Sequence, residues 1–223
     1  MNILHTVQLY EPYIGGSEEV VKQISERLAK RKHNVTVATA YHKNRLQKTI
    51  NEVKIKEFKI TGNKTYGIFG NAEKYQDFLI NTPFDIILNY GSQIWSTDLS
   101  FPILNKIKAK KVLVPLCFPG IDNKLYADYY QKMPDYLKKY DKIIHLSANS
   151  KDKTFCDAHS LKNGMIIANG ADENEFLREM PNFRAKYGIK TRYFILSVSN
   201  HYYLKGHDFI LESFKKLKRN PTD

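Results

Sequence analysis

The chain has 223 residues, of which 42% are hydrophobic and 26% are charged, and this composition is typical of a globular protein with one large domain or slightly more. No apolar run approaches the ~20 residues that a membrane-spanning helix needs, and residues 1–9 lack the basic and small-residue features of a signal peptide. The two cysteines, Cys117 and Cys156, are far apart. This argues against a disulfide framework or a zinc site and predicts a reducing, cytoplasmic location.

The formal net charge is +12 at pH 7. About half of the clustered lysines stand where helices should end, which the helix dipole favours. The remaining surplus predicts an anionic ligand or surface, such as a nucleotide or the anionic inner face of a membrane. The sequence shows no helix-turn-helix, zinc-finger or RNP-type aromatic strand, so we expect no nucleic-acid partner.

Apolar strands alternate with amphipathic helices from residue 1 to residue 169. The predicted strands are Asn2–Gln8, Asn34–Thr39, Val53–Ile60, Phe84–Asn89, Lys111–Cys117, Lys142–Leu146 and Gly164–Ala168. The predicted helices are Ser17–Arg31, Ala72–Asn81, Trp95–Ile107, Lys124–Lys139 and Ser150–His159, with Pro102 starting or kinking the third and Pro134 breaking or restarting the fourth. Thr61–Asn71 carries three glycines and is predicted to be a loop. Nearly continuous apolar strands indicate a parallel sheet covered on both faces, so the sequence predicts an α/β, doubly wound, Rossmann-like domain.

The character of the chain changes after Asn169. Residues 170–191 are predicted to be an interdomain linker with an acidic turn and a short helix, Asn182–Tyr187. A new strand, Arg192–Ser199, and a helix, Asp208–Lys218, then form a second strand–loop–helix unit. A unit of about 30 residues cannot bury its own apolar face, so residues 192–223 are interpreted as the start of a second, incomplete domain.

The Gly15-Gly16 pair stands between the first strand and the first helix, and Ser17 is a suitable helix N-cap residue. Backbone N–H groups at such a helix start attract anions, above all phosphates. The alternative is a tight turn that only glycine can form. In a doubly wound sheet, ligands bind beyond the carboxyl ends of the strands, where Asn89, Ser92 and Phe118 also lie. There is no GxGxxG motif, so a classical NAD or FAD site is not supported.

These segments together resemble the retaining glycosyltransferases of the GT-B fold, family 4. The matching segments, in chain order, are Gly15-Gly16-Ser17-Glu18, His33–Val37, Phe84–Ile87, Asn169–Asp172 with Phe176, and Phe194–Ser199 followed by Lys205-Gly206. The ordered set covers nearly the whole chain.

The resemblance implies two Rossmann domains that face each other across a cleft. The N-terminal domain mainly binds the acceptor, a glycan or lipid, and the C-terminal domain binds a UDP- or GDP-linked sugar, which is a co-substrate, so no cofactor or metal is expected. Gly15 and Gly16 contact the donor diphosphate from one side, and Asn200, His201, Lys205 and Gly206 hold it from the other. Lys205 has the catalytic role of neutralising the leaving phosphate, which is electrostatic catalysis.

The sequence departs from the family pattern in three places. The arginine that commonly precedes the lysine by five residues is replaced by Asn200. The loop after the fifth strand, Cys117–Gly120, lacks the family's histidine. The paired glutamates that hold the donor sugar are expected beyond the lysine motif, where this chain ends. We therefore expect the isolated chain to have little or no transferase activity.

Two other functions remain open. The chain is alternatively a non-catalytic module that docks to a donor-domain subunit or to an anionic membrane. A nucleotide-sugar epimerase is a third hypothesis, but the absence of GxGxxG and of a Tyr-x-x-x-Lys pair counts against it.

Overall fold

The computed structural model describes residues 1–172, 174, 177 and 182–217. Phe176, one of the positions that carries the family resemblance, lies outside the described residues. Contacts divide the chain into two compact units, Met1–Gly170 and Ala171–Asp223, and each is described by itself.

The first unit is built on an eight-stranded sheet with helices on both faces. The unit has ten strands, of which eight form this sheet and two, β5 and β6, form a separate hairpin. The strands are β1 (Asn2–Thr6), β2 (Asn34–Ala40), β3 (Thr49–Ile50), β4 (Val53–Phe58), β5 (Ile60–Asn63), β6 (Gly67–Gly70), β7 (Ile86–Tyr90), β8 (Lys110–Val114), β9 (Lys142–His145) and β10 (Gly164–Ile166). Its helices are α1 (Gly16–Lys30), α2 (Ala72–Asn81), α3 (Trp95–Asp98), α4 (Ala127–Leu137) and α5 (Lys151–Ala158), with 3₁₀ turns at Phe101–Ile103 and Lys124–Tyr126. Every strand predicted for residues 1–169 is present, within a few residues at its ends.

The sheet is doubly wound. Its strand order is β10-β9-β8-β7-β1-β2-β4-β3, and every neighbouring pair is parallel except β3 and β4. β1 therefore lies between β2 and β7, and the chain reverses its direction of travel across the sheet at this point. Alternate residues of β2 belong to two separate cores, Val35 and Val37 to one and Ala38 and Ala40 to the other. Since strand residues alternate between faces, one core lies on each side of the sheet. The predicted α/β doubly wound sheet is confirmed.

The predicted loop Thr61–Asn71 is wrong. The segment forms an antiparallel hairpin from β5 and β6. Gly62 and Gly70 have positive φ angles of 89° and 114°. A Cβ at Gly62 would collide with the Gly67 carbonyl of the opposite strand, and one at Gly70 would collide with the Lys59 carbonyl directly before that strand. The glycines that suggested a loop thus allow the two strands to approach each other.

The predicted helices around the two prolines also need correction. Trp95–Ile107 is not one helix: α3 ends at Asp98, and a 3₁₀ turn with Pro102 inside it follows. Proline lacks an N–H and suits the first turn of a helix better than its interior. In contrast, α4 continues through Pro134, since the amide of Lys138 donates to the Pro134 carbonyl at 3.1 Å. Four buried residues hold that helix on the core: Tyr129, Tyr130, Met133 and Leu137.

In the second unit the described helices are α6 (Phe183–Lys186) and α7 (His207–Lys216), with a 3₁₀ turn at Tyr203–Lys205. The predicted strand Arg192–Ser199 is not formed. Its side chains are exposed, and no described strand pairs with it. A strand needs a partner for its backbone hydrogen bonds, so apolar composition alone does not produce one.

Candidate functional site

The candidate site lies at the carboxyl ends of β1 and β7. In open α/β sheets, ligands bind in the crevice at the point where the strand order reverses. Here that point lies between β1, which leads into residues 7–15, and β7, which leads into residues 91–94. The glycine pair is at the end of the first of these loops.

Gly15 and Gly16 open helix α1. Gly15 is its N-cap residue, with extended backbone angles and no side chain to cap the helix, and its carbonyl accepts the first helical bond from Glu19 at 3.0 Å. Ser17 is therefore not the N-cap, because the helix already begins at Gly16. The N–H groups of the first turn have no acceptor within the helix, and they carry its positive dipole end.

The two glycines differ in their surroundings. A Cβ at Gly15 would collide with the carboxylate of Glu18, which folds back over the helix start. A Cβ at Gly16 would meet no heavy atom within 4 Å, and Gly16 is exposed. The backbone of Gly16 is thus open to a ligand, whereas Gly15 shares its space with the side chain of Glu18.

Charged side chains surround the helix start. A cavity of about 300 Å³ is lined by residues of the loop and of the first helical turns: Glu11, Pro12, Tyr13, Ile14, Glu18, Glu19 and Lys22. The Lys22 ammonium lies 2.7 Å from the Glu11 carboxylate, and this hydrogen bond raises the pKa of Lys22. An anion that binds at Gly16 would lie beside the Glu18 carboxylate, which is the end of a flexible side chain.

The structure removes Asn89 from the candidate site. Its side chain is buried in the core, where Nδ2 donates to Thr6 at 2.8 Å and to Ser100 at 3.2 Å. Its Oδ1 accepts from the Tyr140 hydroxyl at 2.8 Å. With its amide fully used, Asn89 joins elements of the interior and is not available to a donor.

The side chains of Ser92 and Phe118 are also structural. The Ser92 hydroxyl is buried and donates to the Pro115 carbonyl at 2.7 Å. The Phe118 ring is fully buried and packs edge-on against Tyr130 and Phe155. Both side chains thus have partners within the protein, and the predicted donor contacts of Ser92 and Phe118 stay predictions.

A residue that the sequence did not single out connects the loops at this edge. Gln93 has a positive φ of 57°, and its Nε2 donates to the Pro119 carbonyl at 2.6 Å and to the Tyr130 hydroxyl at 2.8 Å. Its backbone N–H donates to Tyr129 at 2.9 Å. Gln93 thereby fixes the loop after β7 to the loop after β8. The sequence gives no signal of this connecting role, because a glutamine after Gly-Ser is not a recognisable motif.

The other predicted residues lie together in the second unit. Gly206, with a φ of 70°, ends the 3₁₀ turn and is the N-cap of α7, and its carbonyl accepts from Ile210 at 3.0 Å. Lys205, directly before it, is exposed, as are Asn200 and His201. The helix begins at His207 rather than at Asp208.

A second histidine, which the sequence did not single out, joins the parts of this loop. The Nε2 atom of His207 lies 2.8 Å from the Ser199 hydroxyl and 3.2 Å from the Asn200 carbonyl. The ring of His201 lies 5.1 Å from that of His207, centroid to centroid. His207 therefore joins the two ends of the loop that carries Lys205, and its position immediately after a glycine was the available signal.

In the part of the chain that the structure describes, no three His, Cys, Asp or Glu side chains are arranged to hold a metal ion. Among the same residues, no helix is both long enough and apolar enough to cross a bilayer.

No protein-family description matches the chain, and no curated protein matches its sequence. Solved structures of GT-B glycosyltransferases do match its fold. Sucrose-phosphate synthase from Thermosynechococcus elongatus superposes with a TM-score of 0.61 at 11% identity, over 84% of this chain and 52% of that one. Anabaena HepE, solved in complex with UDP and glucose, superposes with a TM-score of 0.58 at 16% identity, over 84% of this chain and 50% of that one.

A second structure of the synthase, with a TM-score of 0.52 at 10% identity, matches 79% of this chain and 93% of its own length. The chain thus spans about half the length of the two longer structures. These likenesses establish the α/β fold as that of the Rossmann-like domains of GT-B glycosyltransferases.

Proposed function

We propose that the chain is part of a glycosyltransferase that moves a sugar from a UDP- or GDP-linked donor to a glycan or lipid acceptor. The proposal includes the retaining stereochemistry of family 4, and it rests on the fold and on one feature of the candidate site. That feature is the open backbone of Gly16 at the start of α1, where the strand order reverses.

The fold itself does not require a glycine at residue 16. Its φ is not in the left-handed region, and a Cβ would meet open space. Glycine inside a helix is less stable than alanine by about 0.5–1 kcal/mol. A ligand that approaches the backbone closely explains the glycine better than the turn does.

The proposed chemistry is a displacement at the anomeric carbon of the donor sugar. The bond from that carbon to the diphosphate oxygen breaks, and its electron pair remains on the diphosphate. An acceptor oxygen forms the new bond to the same carbon, on the face from which the diphosphate departs, and its proton passes to the departing diphosphate oxygen. In the first unit, the N–H groups that follow Gly15 are suited to neutralise the charge on a leaving diphosphate. In the second unit, the Lys205 ammonium and the N–H groups that follow Gly206 are suited to the same task. Asn200 and His201 would add hydrogen bonds to the diphosphate.

Nucleotide affinity of the Gly16→Ala variant tests the proposal. We expect the chain to bind UDP or GDP in calorimetry, and Gly16→Ala to weaken that binding at least tenfold without lowering the stability of the fold. Gly170→Ala is the matched control, because a Cβ there also meets nothing within 4 Å. If neither nucleotide binds, or if Gly16→Ala binds as tightly as the wild type, the proposal fails.

A second candidate function is a module that docks to an anionic membrane. Residues 41–66 contain seven Lys and Arg residues and two Glu residues, so this segment is positively charged. Large apolar side chains within and just beyond this segment are exposed: Tyr41, Leu46, Tyr66 and Phe69. Aromatic and apolar groups flanked by cations suit an anionic lipid surface. Co-sedimentation with vesicles decides this, since equal binding to anionic and zwitterionic lipid would rule the surface out.

A further inference from the structure

Arg45 lies in the segment that follows β2, and its guanidinium is buried against the loop that follows β1. The residue is 5% exposed. Its Nε donates to the carbonyl of Glu11 at 2.5 Å, and its Nη2 donates to the carbonyl of Tyr10 at 2.8 Å. Its Nη1 donates to the carbonyl of Ala40, the last residue of β2, at 2.9 Å. One side chain thus ties the loop after β1 to the end of the neighbouring strand.

The charge of this guanidinium is balanced by Glu57 on β4. The distance from Arg45 Nη1 to Glu57 Oε1 is 2.6 Å, and the Glu57 side chain is 7% exposed. Glu57 also accepts hydrogen bonds from the Lys48 ammonium and from the amide of His42. Burial alone would raise the pKa of Glu57, but these hydrogen bonds and the guanidinium leave it below the ordinary value.

Stability alone does not account for this arrangement. Buried ion pairs often contribute no more to stability than apolar side chains of the same volume would. The planar guanidinium offers five donors in a fixed geometry, which an ammonium cannot reproduce. Here three of the acceptors are backbone carbonyls, so what the side chain determines is the path of the backbone.

That path leads directly to the glycine pair. Three residues separate Glu11 from Gly15, and the loop has further attachments along that stretch. The amide of Tyr13 donates to the Tyr10 carbonyl at 3.2 Å, and the Tyr13 ring packs edge-on against His42 at 4.7 Å. The Tyr10 carbonyl therefore accepts both from Arg45 and from the turn that sets the direction of the last residues before α1.

We propose that Arg45 is the positioning residue of the Gly15-Gly16 loop, and that it orients the N-terminus of α1 for a nucleotide diphosphate. The identity of the ligand rests on the proposed function. The control of the loop by Arg45 does not, because it follows from the hydrogen bonds to Tyr10, Glu11 and Ala40.

Arg45→Lys tests the proposal, because it keeps the positive charge but loses the planar set of donors. Lys48→Ala is the matched control, since Lys48 contacts the same Glu57 carboxylate but is exposed, and its described hydrogen bond goes to that carboxylate and not to the loop. Two readouts are needed. The first is the NMR shifts of the Gly15, Gly16 and Ser17 amides together with hydrogen exchange of the Tyr13 amide, and the second is calorimetric affinity for UDP and GDP.

For Arg45→Lys we expect shifted Gly15 and Gly16 amide resonances and at least tenfold weaker nucleotide binding by the folded protein. We also expect at least tenfold faster exchange of the Tyr13 amide, because it donates to the Tyr10 carbonyl that Arg45 holds. For Lys48→Ala we expect less than a twofold change in either readout. Unfolding in urea separates a general loss of stability from a change confined to the loop.

Unchanged Gly15 and Gly16 amides in Arg45→Lys would overturn the proposal, and so would unchanged nucleotide affinity in a less stable variant. If the wild type binds neither nucleotide, the proposed function fails, while the amide readout still decides the role of Arg45. If Arg45→Lys does not fold, Glu57→Gln takes its place, and unchanged loop amides in that variant would count against the proposal.

Discussion

The hydroxyl of Tyr129 donates a 2.8 Å hydrogen bond to Oδ1 of Asp98 inside the first unit. The other carboxylate oxygen accepts from the amide of Lys64, at the tip of the β5–β6 hairpin, also at 2.8 Å. Burial raises the pKa of Asp98 to about 6, although the two hydrogen bonds act in the opposite direction. This carboxylate therefore joins the hairpin to α4, and it takes up a proton at a higher pH than an exposed aspartate does.

The pH dependence of stability follows from this raised pKa. The folded state holds the proton of Asp98 more tightly than the unfolded state, so its contribution is full below the ordinary pKa of 3.8 and is lost as the pH rises through about 6. The loss between pH 4 and pH 7 amounts to about 2 kcal/mol. Asp98→Asn should remove this slope in urea unfolding measured at each pH.

Asp141 provides a control of opposite sign. Burial alone would raise its pKa, but hydrogen bonds from the Lys111 amide and the Lys110 ammonium leave it lowered. Its stabilising contribution is present above the ordinary pKa and is lost as the pH falls. Asp141→Asn should therefore flatten the acid side of the curve. Identical pH profiles for the wild type and Asp98→Asn would contradict the assignment of the slope to Asp98.

Substitution of Asn89 should affect stability and not binding. Asn89→Leu removes the hydrogen bonds that Thr6, Ser100 and Tyr140 make to the Asn89 side chain in the core. Each buried polar group that is left unsatisfied costs about 1–3 kcal/mol. We expect a loss of about 2–4 kcal/mol in chemical denaturation. Asn44→Ala, at an exposed position, should change stability by less than about 0.5 kcal/mol. Weaker nucleotide binding by folded Asn89→Leu would return Asn89 to the site.

The β5–β6 hairpin offers a comparison of two glycines. Gly62 and Gly67 have similar positive φ angles of 89° and 96°, but only at Gly62 would a Cβ collide with backbone. At Gly67 the nearest atoms belong to the Phe69 ring, at an ordinary 3.5 Å. Gly67→Ala should therefore report the backbone strain, about 1–2 kcal/mol, and Gly62→Ala should cost clearly more. Equal unfolding free energies for the two variants would show that steric contact between the strands is unimportant.

Lys205 should matter for nucleotide binding and not for folding. The side chain is exposed, and its ammonium would act on the diphosphate as a compact point charge. Lys205→Ala should weaken UDP or GDP binding about tenfold, which corresponds to about 1.4 kcal/mol, with an unchanged thermal midpoint. Lys190→Ala, a second exposed lysine of the same unit, should leave affinity unchanged. An equal loss in both variants would indicate a general effect of net charge.

The sheet was predictable because its central strands, β1, β2 and β7, are largely buried on both faces. Continuous apolar runs such as Phe84–Asn89 leave little choice but a central parallel strand. The hairpin was not, since glycine permits loops and close strand pairs alike, and only the opposite strand at Gly62 distinguishes them. Arg192–Ser199 has the same apolar composition as a true strand, but pairing depends on neighbours that the local sequence does not specify.

Part of the candidate site was predictable for a similar reason. Gly15-Gly16 is marked by its place between a strand and a helix, and the structure keeps its backbone accessible. Asn89 was misread because a polar residue at the end of a strand suits a ligand and a buried network equally well. Arg45 stands among lysines and polar residues in residues 41–48, and only its distant partners, Tyr10, Glu11 and Glu57, distinguish it from a solvated cation.

The central place of β1 has a consequence for how the protein folds. β1 pairs with β2 about 32 positions later in the chain, as in Ile3 with Val35, and with β7 about 83 positions later, as in Ile3 with Ile86. During synthesis, the strand that leads into the glycine pair therefore emerges early but waits for its second partner. Pairings this distant slow folding, because the chain must lose the entropy of closing a long loop before the hydrogen bonds between the strands can form. The crevice beside Gly16 is thus assembled late, although one of its walls is made first.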